Sequence, residues 1–206
     1  MKLQYASLMA GIVAASIFSS AALADTDWRA EAIAMMKRDF QAKGQAAYER
    51  IYEDALQAEC NKSSNNPPED VATRMMQDQL NTVKYPADGK LMGEWKSGEK
   101  IAQSGKGFTW KDDPAKPVGG NCYNCHQLSP HELSYGTLGP SLFNFGKLRG
   151  GPLAENQKYV YSKIFNAKSY NLCSMMPRFG HIGALSEQQI KDLVALLLDP
   201  ESPINK

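Results

Sequence analysis

The stretch Cys122-Tyr123-Asn124-Cys125-His126 decides the fold that this sequence predicts, because it has the form C-x-x-C-H. Two thiols on one turn of backbone can add across the two vinyl groups of a haem, and the histidine that follows turns its imidazole toward the iron. The alternatives are a redox dithiol and half of a zinc site. The Pro- and Gly-containing segment 112–121 is unlike the strand that precedes a redox C-x-x-C, and no second pair of zinc ligands follows. The motif therefore predicts one covalent haem c.

The amino terminus predicts export. A positive start at Lys2 is followed by an apolar run from Leu8 to Phe18 and by the small-residue site Ala22-Leu23-Ala24. This is the pattern of a secretory signal peptide, residues 1–24, with cleavage after Ala24. The alternative is an uncleaved membrane anchor, for which the apolar run is short. Since no later segment is apolar enough to span a membrane, we expect a periplasmic protein.

Charge excludes one class of partner. Lys2 is the only charged residue of the predicted signal, so the mature chain has 22 basic and 22 acidic residues. A formal net charge of zero argues against nucleic acid or an anionic membrane as the main partner.

Four cysteines are present, and the motif uses two of them. In an oxidising compartment the remaining pair, Cys60 and Cys173, predicts a disulfide that closes a long loop. The alternative is two separate thiols.

The rest of the chain has a helical pattern and no alternation of the kind that predicts strands. Ser186 and Gln189 match a capping box before an apolar face, and Pro200 follows that helix. Helices are predicted over 26–59, weakened at Gly44, over 68–83, 91–104 and 155–167, and from Ser186 onward. We therefore expect an all-α protein, in which a helical extension (25–85) precedes a class I cytochrome c domain (86–206).

The second axial ligand of the iron is sought on the loop before the last helix, where class I cytochromes carry it. The candidates there are Cys173, Met175, Met176 and His181. Met176 is favoured, because Pro177 holds the residue before it in an extended conformation and a thioether is a suitable iron ligand. His131 follows His126 too closely to reach the opposite face. Core packing is expected for Met35, Met36, Met75 and Met92.

Two further residues are predicted around the haem. In class I cytochromes a Gly-Pro turn follows the motif, and the carbonyl of Pro140 is placed to accept the Nδ1–H of His126. The alternative is an ordinary turn. Arg178 and Arg149 are candidate partners of the haem propionates, with solvated side chains as the alternative. The predicted crevice residues are Tyr135, Phe143, Phe145, Leu148 and Phe179.

The sequence resembles the SoxX family, the small cytochrome subunits of the SoxAX complexes of thiosulfate oxidation. The resemblance covers about residues 120–205, and residues 25–85 are similar to an amino-terminal extension of some members. It rests on four stretches: N-C-Y-N-C-H at 121–126, E-L-S-Y-G-T-L-G-P-S-L at 132–142, C-S-M-M-P-R-F-G at 173–180 and L-L-L-D-P-E-S-P-I-N at 196–205.

The resemblance implies an electron-transfer subunit that forms a heterodimer with a SoxA-type cytochrome. Such complexes are thiosulfate:cysteine S-thiosulfotransferases, which join thiosulfate oxidatively to a cysteine of the carrier SoxYZ. The small subunit passes the electrons to a small soluble cytochrome. Whether the chain alone is an enzyme is left open.

Two alternatives to this subunit role remain at this point. One is a diffusible periplasmic electron carrier without a fixed partner. The other is a haem enzyme or ligand sensor, which would need an open sixth position on the iron.

Overall fold

The computed structural model describes residues 27–116 and 118–206, and the predicted signal peptide and its cleavage site lie outside them. Within these residues the regular structure is helical, and the only β contact is an isolated bridge between Lys43 and Ala46. The all-α prediction is therefore confirmed. The α-helices are α1 Trp28–Asp39, α2 Ala55–Lys62, α3 Glu69–Asn81, α4 Trp95–Gln103, α5 Phe145–Leu148, α6 Leu153–Phe165 and α7 Glu187–Leu198. Short 3-10 turns cover Tyr48–Ile51, Cys122–Asn124, Ala167–Ser169 and Pro203–Asn205.

The chain divides into two units between Asp39 and Phe40, and in the first of them the structure describes α1 and the residue before it. Asp27 caps α1, since its carboxylate accepts a hydrogen bond from the amide of Ala30 at 3.0 Å. No side chain of α1 is buried. The expected core packing of Met35 and Met36 is therefore wrong, because both side chains are exposed.

Residues 40–206 form the second unit, so residues 40–85 lie in the same unit as the predicted haem domain. The predicted helix over 26–59 is wrong as a single element. α1 ends at Asp39, and after it Gly44 takes a left-handed φ of +54° beside the Lys43–Ala46 bridge, where no helix can continue. Helical structure resumes at α2, where Asp54 and Gln57 form a capping box that fixes a new helix start.

The other helices begin and end within a few residues of their predicted bounds. The last helix is the best predicted, because the capping box of Ser186 and Gln189 is present and α7 follows it. Along α6, Tyr161 is fully buried and donates its hydroxyl to the carbonyl of Lys84 at 3.0 Å. The helix range alone did not predict the buried hydroxyl of Tyr161, because its partner Lys84 lies far away in the sequence.

The main core lies where α4 crosses α7. A Cβ added to Gly98 would overlap the backbone oxygen of Asp192 and approach the side chain of Leu196, so only glycine allows this approach. The carboxylate of Asp192 is buried beside the contact. It accepts hydrogen bonds from the amide of Glu94 at 2.9 Å and from the side chain of Gln188 at 2.8 Å. These bonds fix the start of α4 on α7.

A smaller second core joins α2 and α3 to the chain beyond α6. Its buried residues are Leu56, Cys60 and Leu172, with Ala72, Met75, Met76 and Cys173 packed against them. Met92 packs against the main core instead. The core packing expected of Met75 and Met92 is thereby confirmed.

We expect Gly98→Val to destabilise the protein by about 1–3 kcal/mol, because an added side chain must push apart two backbones in contact. Lys100→Val is the matched control, since Lys100 is exposed on the same helix and loses only about 0.5 kcal/mol of helix propensity. Urea unfolding of both variants measures the difference. Equal free energies of unfolding for the two variants would contradict the close approach.

Candidate functional site

The C-x-x-C-H motif forms one tight turn at the end of α4. Cys122–Asn124 is a 3-10 turn, and the amide of His126 donates to the carbonyl of Cys122 at 2.9 Å. The residues before it are bound to α4, since the amide of Gly120 donates to the carbonyl of Ile101 at 2.8 Å. The turn and its two cysteines, which form no disulfide, are thus carried by the helix that crosses α7.

His126 has one ring nitrogen committed to the backbone. Its Nδ1 lies 2.7 Å from the carbonyl oxygen of Pro140, and a carbonyl can only accept. Nδ1 therefore carries the proton, which leaves the lone pair on Nε2 free to bind a metal. The structure thus contains the predicted contact between His126 and the carbonyl of Pro140. An ordinary turn would not explain why this carbonyl faces the imidazole.

The loop 136–142 runs directly along the motif. The amide of Gly139 donates to the carbonyl of Cys125 at 2.8 Å, and the amide of Gly136 donates to that of Tyr123 at 2.9 Å. A Cβ on Gly139 would overlap the imidazole ring of His126, and one on Gly136 would overlap the carbonyl of Asn124. Glycine is required at both positions, and the two glycines hold the imidazole in one orientation. The Gly-x-x-Gly-Pro spacing was the available signal in the sequence.

The Cys122 thiol lacks the property that activates the first cysteine of a redox dithiol. Burial raises the pKa of the Cys122 thiol to about 12, and the Cys125 thiol nearby acts in the same direction. A redox C-x-x-C needs a cysteine whose pKa is lowered. Cys122 instead remains a neutral thiol at physiological pH.

The chain beside the motif presents large apolar side chains to the surface. Leu133 is fully exposed, and Leu138 is 87% exposed. Two of the predicted crevice residues, Tyr135 and Leu148, are also exposed, whereas Phe145 and Phe179 pack partly buried against the main core. Exposed apolar side chains on the segment that follows the motif leave apolar surface that a bound apolar group could cover. Together with two thiols, a free Nε2 and a loop that only glycine can form, they fit a covalently held haem.

The four candidate distal ligands differ in their surroundings. Met176 is half-buried and packs against the main core, as Cys122 does. Met175 is 91% exposed. The sulfur of Cys173 is bonded to Cys60, which is the predicted pairing and removes Cys173 as a ligand. These surroundings favour Met176 over Met175 and Cys173.

The two remaining histidines are exposed. Partial burial, followed by the charge of Arg178, lowers the pKa of His181, while Asp54 acts in the opposite direction. His131 lies in the loop just after the motif, where its amide donates to Ser129. A bond from His181 to the iron stays an alternative to Met176.

Arg178 has a protein partner that sequence reasoning missed. Its Nη2 donates to the carboxylate of Asp54, and the Arg178 side chain is only 15% exposed. Burial would raise the pKa of Asp54, but hydrogen bonds from the Gln57 amide and from Arg178 outweigh it and keep that pKa below its usual range. No local pattern connects residues so far apart in the sequence. A contact between Arg178 and a haem propionate stays a prediction.

Arg149 also has partners in the protein. Its Nε donates to the side-chain oxygen of Asn156 at 2.9 Å, and its guanidinium lies 3.6 Å from the ring centroid of Tyr159. Such a position is typical of a cation–π contact.

Residues 27–116 and 118–206 contain no cluster of three or more His, Cys, Asp or Glu arranged to hold a metal ion. No helix in these same ranges is long and apolar enough to cross a membrane.

Comparison with known proteins gives one informative result. No known protein-family model matches the sequence. An uncharacterized lipoprotein of Aquifex aeolicus (strain VF5) is 34% identical over 209 residues, which span 97% of this chain and 95% of the relative. The chain belongs to the same family as this lipoprotein. The match covers nearly the whole of both chains.

We expect the Asp54–Arg178 pair to make the free energy of unfolding decrease as the pH falls. A carboxyl whose pKa is lowered by folding stabilises the protein above its unfolded pKa of about 4, and this contribution is lost as the pH falls through the folded value. Asp54→Asn retains a capping side chain and loses the charge, so it should destabilise the protein by about 1 kcal/mol at neutral pH. The difference from the wild type should shrink near pH 3, as measured by chemical unfolding at both pH values.

The control for this prediction is Asp39→Asn. The pKa of Asp39 is also lowered, by its hydrogen bond with Arg38, but both side chains are largely exposed to water. Solvent screens such pairs. We therefore expect no measurable change, and an Asp54→Asn effect that does not vary with pH would contradict the assignment.

Proposed function

We propose that this protein is a single-haem c-type cytochrome with a class I fold. The observation that carries the proposal is the hydrogen bond from Nδ1 of His126 to the carbonyl of Pro140, with Gly139 against the imidazole ring. A ligating histidine typically donates its other ring nitrogen in this way, which fixes its tautomer and raises its basicity. The crossing of α4 and α7 at Gly98 supports the fold. It packs the helix that holds the motif against the carboxy-terminal helix.

In this proposal each residue of the site has one role. Cys122 and Cys125 would hold the porphyrin through thioethers, and the iron would be bound by Nε2 of His126 and by the thioether of Met176. Haem, when bound, supplies one-electron transfer. Ligation by His126 and Met176 would leave no free position for small molecules and would raise the potential. Electron transfer is therefore the function that these residues serve best.

The assignment of Met176 as an iron ligand can be tested by substituting the two adjacent methionines, Met175 and Met176, one at a time. Oxidised cytochromes with methionine sulfur on the iron have a weak far-red absorption band. We expect Met176→Ala to abolish this band and to retain the covalent haem, since the thioethers and His126 are unchanged. Met175→Ala is the matched control and should retain the band, because Met175 is exposed. Persistence of the band in Met176→Ala would exclude Met176 as the ligand.

We further propose that the chain is the electron-transfer subunit of a SoxAX-type complex. The support is the resemblance to the SoxX family, together with the state of the thiols. Cys60 and Cys173 are bonded to each other, and the raised pKa of Cys122 disfavours a thiolate. None of these cysteines is an activated nucleophile. The sulfur chemistry would then belong to a SoxA-type partner and to the carrier SoxYZ.

The proposed location is the periplasm. The predicted signal peptide, the disulfide and the lipoprotein name of the relative all favour an exported protein. In this chain the first cysteine is Cys60, whose sulfur is already bonded to Cys173. We therefore propose processing after Ala24 rather than lipid attachment to a cysteine.

A tagged form of this chain should copurify with a larger haem protein from the source cells. Deleting the gene should abolish thiosulfate-dependent reduction of a soluble cytochrome, and expression of the Met176→Ala variant should restore it only in part. A monomer in gel filtration that binds no larger cytochrome would favour the diffusible carrier instead. Rapid binding of carbon monoxide by the reduced wild type would favour the haem enzyme or sensor.

A further inference from the structure

The loop that carries Met176 is fixed to a single helix at two points. Cys173 is bonded to Cys60, a buried residue inside α2. Arg178 donates to Asp54, the residue that caps the start of the same helix. Met176 lies between the two attachment points. Both attachments join residues more than 110 positions apart, with separations of 113 and 124.

The helix that holds this loop is itself held firmly. The capping box of Asp54 with Gln57 orients the carboxylate that Arg178 needs. Leu56 on α2 is buried in the second core, where α3 and Leu172 also pack. The attachment points are therefore part of a packed structure, and they can restrain the loop.

The end of α3 is joined to the start of the ligand-bearing region. Asn166 is fully buried, and its amide donates to the side chains of Gln79 at 3.0 Å and Thr82 at 3.1 Å. A few residues later, the Lys168 ammonium donates to the carbonyl of Leu172 at 3.0 Å. The backbone is thereby fixed up to the residue before Cys173.

Within the fixed segment, the two adjacent methionines are separated by their surroundings. The hydroxyl of Ser174 accepts from the amide of Met176 at 3.2 Å. Met175 is exposed, whereas Met176 packs against the main core. Holding Cys173 and Arg178 fixes the path of the backbone between them, and that path decides which methionine faces the core.

We propose that α2 and its two attachments are a clamp that positions Met176 on the haem iron. This inference rests on the proposed function and assigns a role to residues 54–62, which lie outside the four stretches that carry the resemblance to SoxX. Cys60, Cys173, Asp54 and Arg178 are positioning residues, since they act through Met176. When the clamp is opened, the loop gains conformational freedom and Met176 spends less time in its bound position. The sixth position then becomes accessible to external ligands.

The test compares two ways of opening the clamp in the haem-loaded, full-length protein. One variant is Cys60→Ser with Cys173→Ser, and the other is Asp54→Asn. For each, haem content, the far-red methionine band and carbon monoxide binding to the reduced protein are measured. We expect unchanged haem content, a weakened band and a roughly tenfold increase in carbon monoxide affinity for the double variant, because the apparent affinity scales with the open fraction. Asp54→Asn should show a smaller change in the same direction.

Ile190→Val is the control for general loss of stability. Ile190 is fully buried in the main core on α7 and takes no part in the clamp. The Ile190→Val substitution removes one buried methyl group, so the free energy of unfolding falls while the clamp remains intact. The band and the carbon monoxide affinity should stay at the wild-type level. A purely structural role of the disulfide would make the double variant resemble this control.

The possible outcomes separate the clamp from the proposed function. Wild-type band and carbon monoxide affinity in both clamp variants would overturn the clamp. If the double variant does not accumulate as folded protein, Asp54→Asn decides the question alone. Absence of covalent haem in the wild type would refute the proposed function instead, and a haem protein without the band would remove Met176 as the residue that is positioned.

Discussion

The close packing of α4 on α7 is the contact on which the other features depend. Gly98 brings the backbone of α4 against that of α7 beside the buried carboxylate of Asp192. The turn that carries Cys122 is hydrogen-bonded to the end of α4, and nine of the twelve residues of α7 are buried. A displacement of α4 would move the motif away from the core. The position of the site thus depends on a backbone contact at Gly98, a residue that has no side chain.

The side of the site that holds His126 is assembled from neighbours in the sequence. The residues that orient the imidazole lie within about 14 positions of it, and their backbone bonds form as the loop 136–142 folds back on the motif. Gly139 allows close contact with the ring, and Pro140 supplies the acceptor. Local contacts of this kind close short loops at low entropic cost. The orientation of His126 therefore needs little help from the rest of the chain.

Sequence patterns predicted the features that depend on a few residue types, such as helix starts and the disulfide. The capping box at Ser186 marked the start of α7, and counting cysteines suggested the bond between Cys60 and Cys173. The single helix over 26–59 was a wrong prediction, because composition favoured helix while Gly44 and the cap at Asp54 divide the segment. The pair of Asp54 with Arg178 had no signal, since a contact between distant residues leaves no periodicity in one sequence.

The side of the site that carries Met176 is built in the opposite way, from contacts between distant residues. A free loop between α6 and α7 would have to order its backbone at a cost of about 1–2 kcal/mol per residue. On the chain-entropy model, a disulfide that closes a loop of more than 100 residues restricts the unfolded chain by roughly 4–5 kcal/mol. The ion pair at Arg178 then fixes the other end of the loop. An amino-terminal helical segment can therefore position a side chain that lies more than a hundred residues away, because residues 40–85 belong to the same unit as the motif.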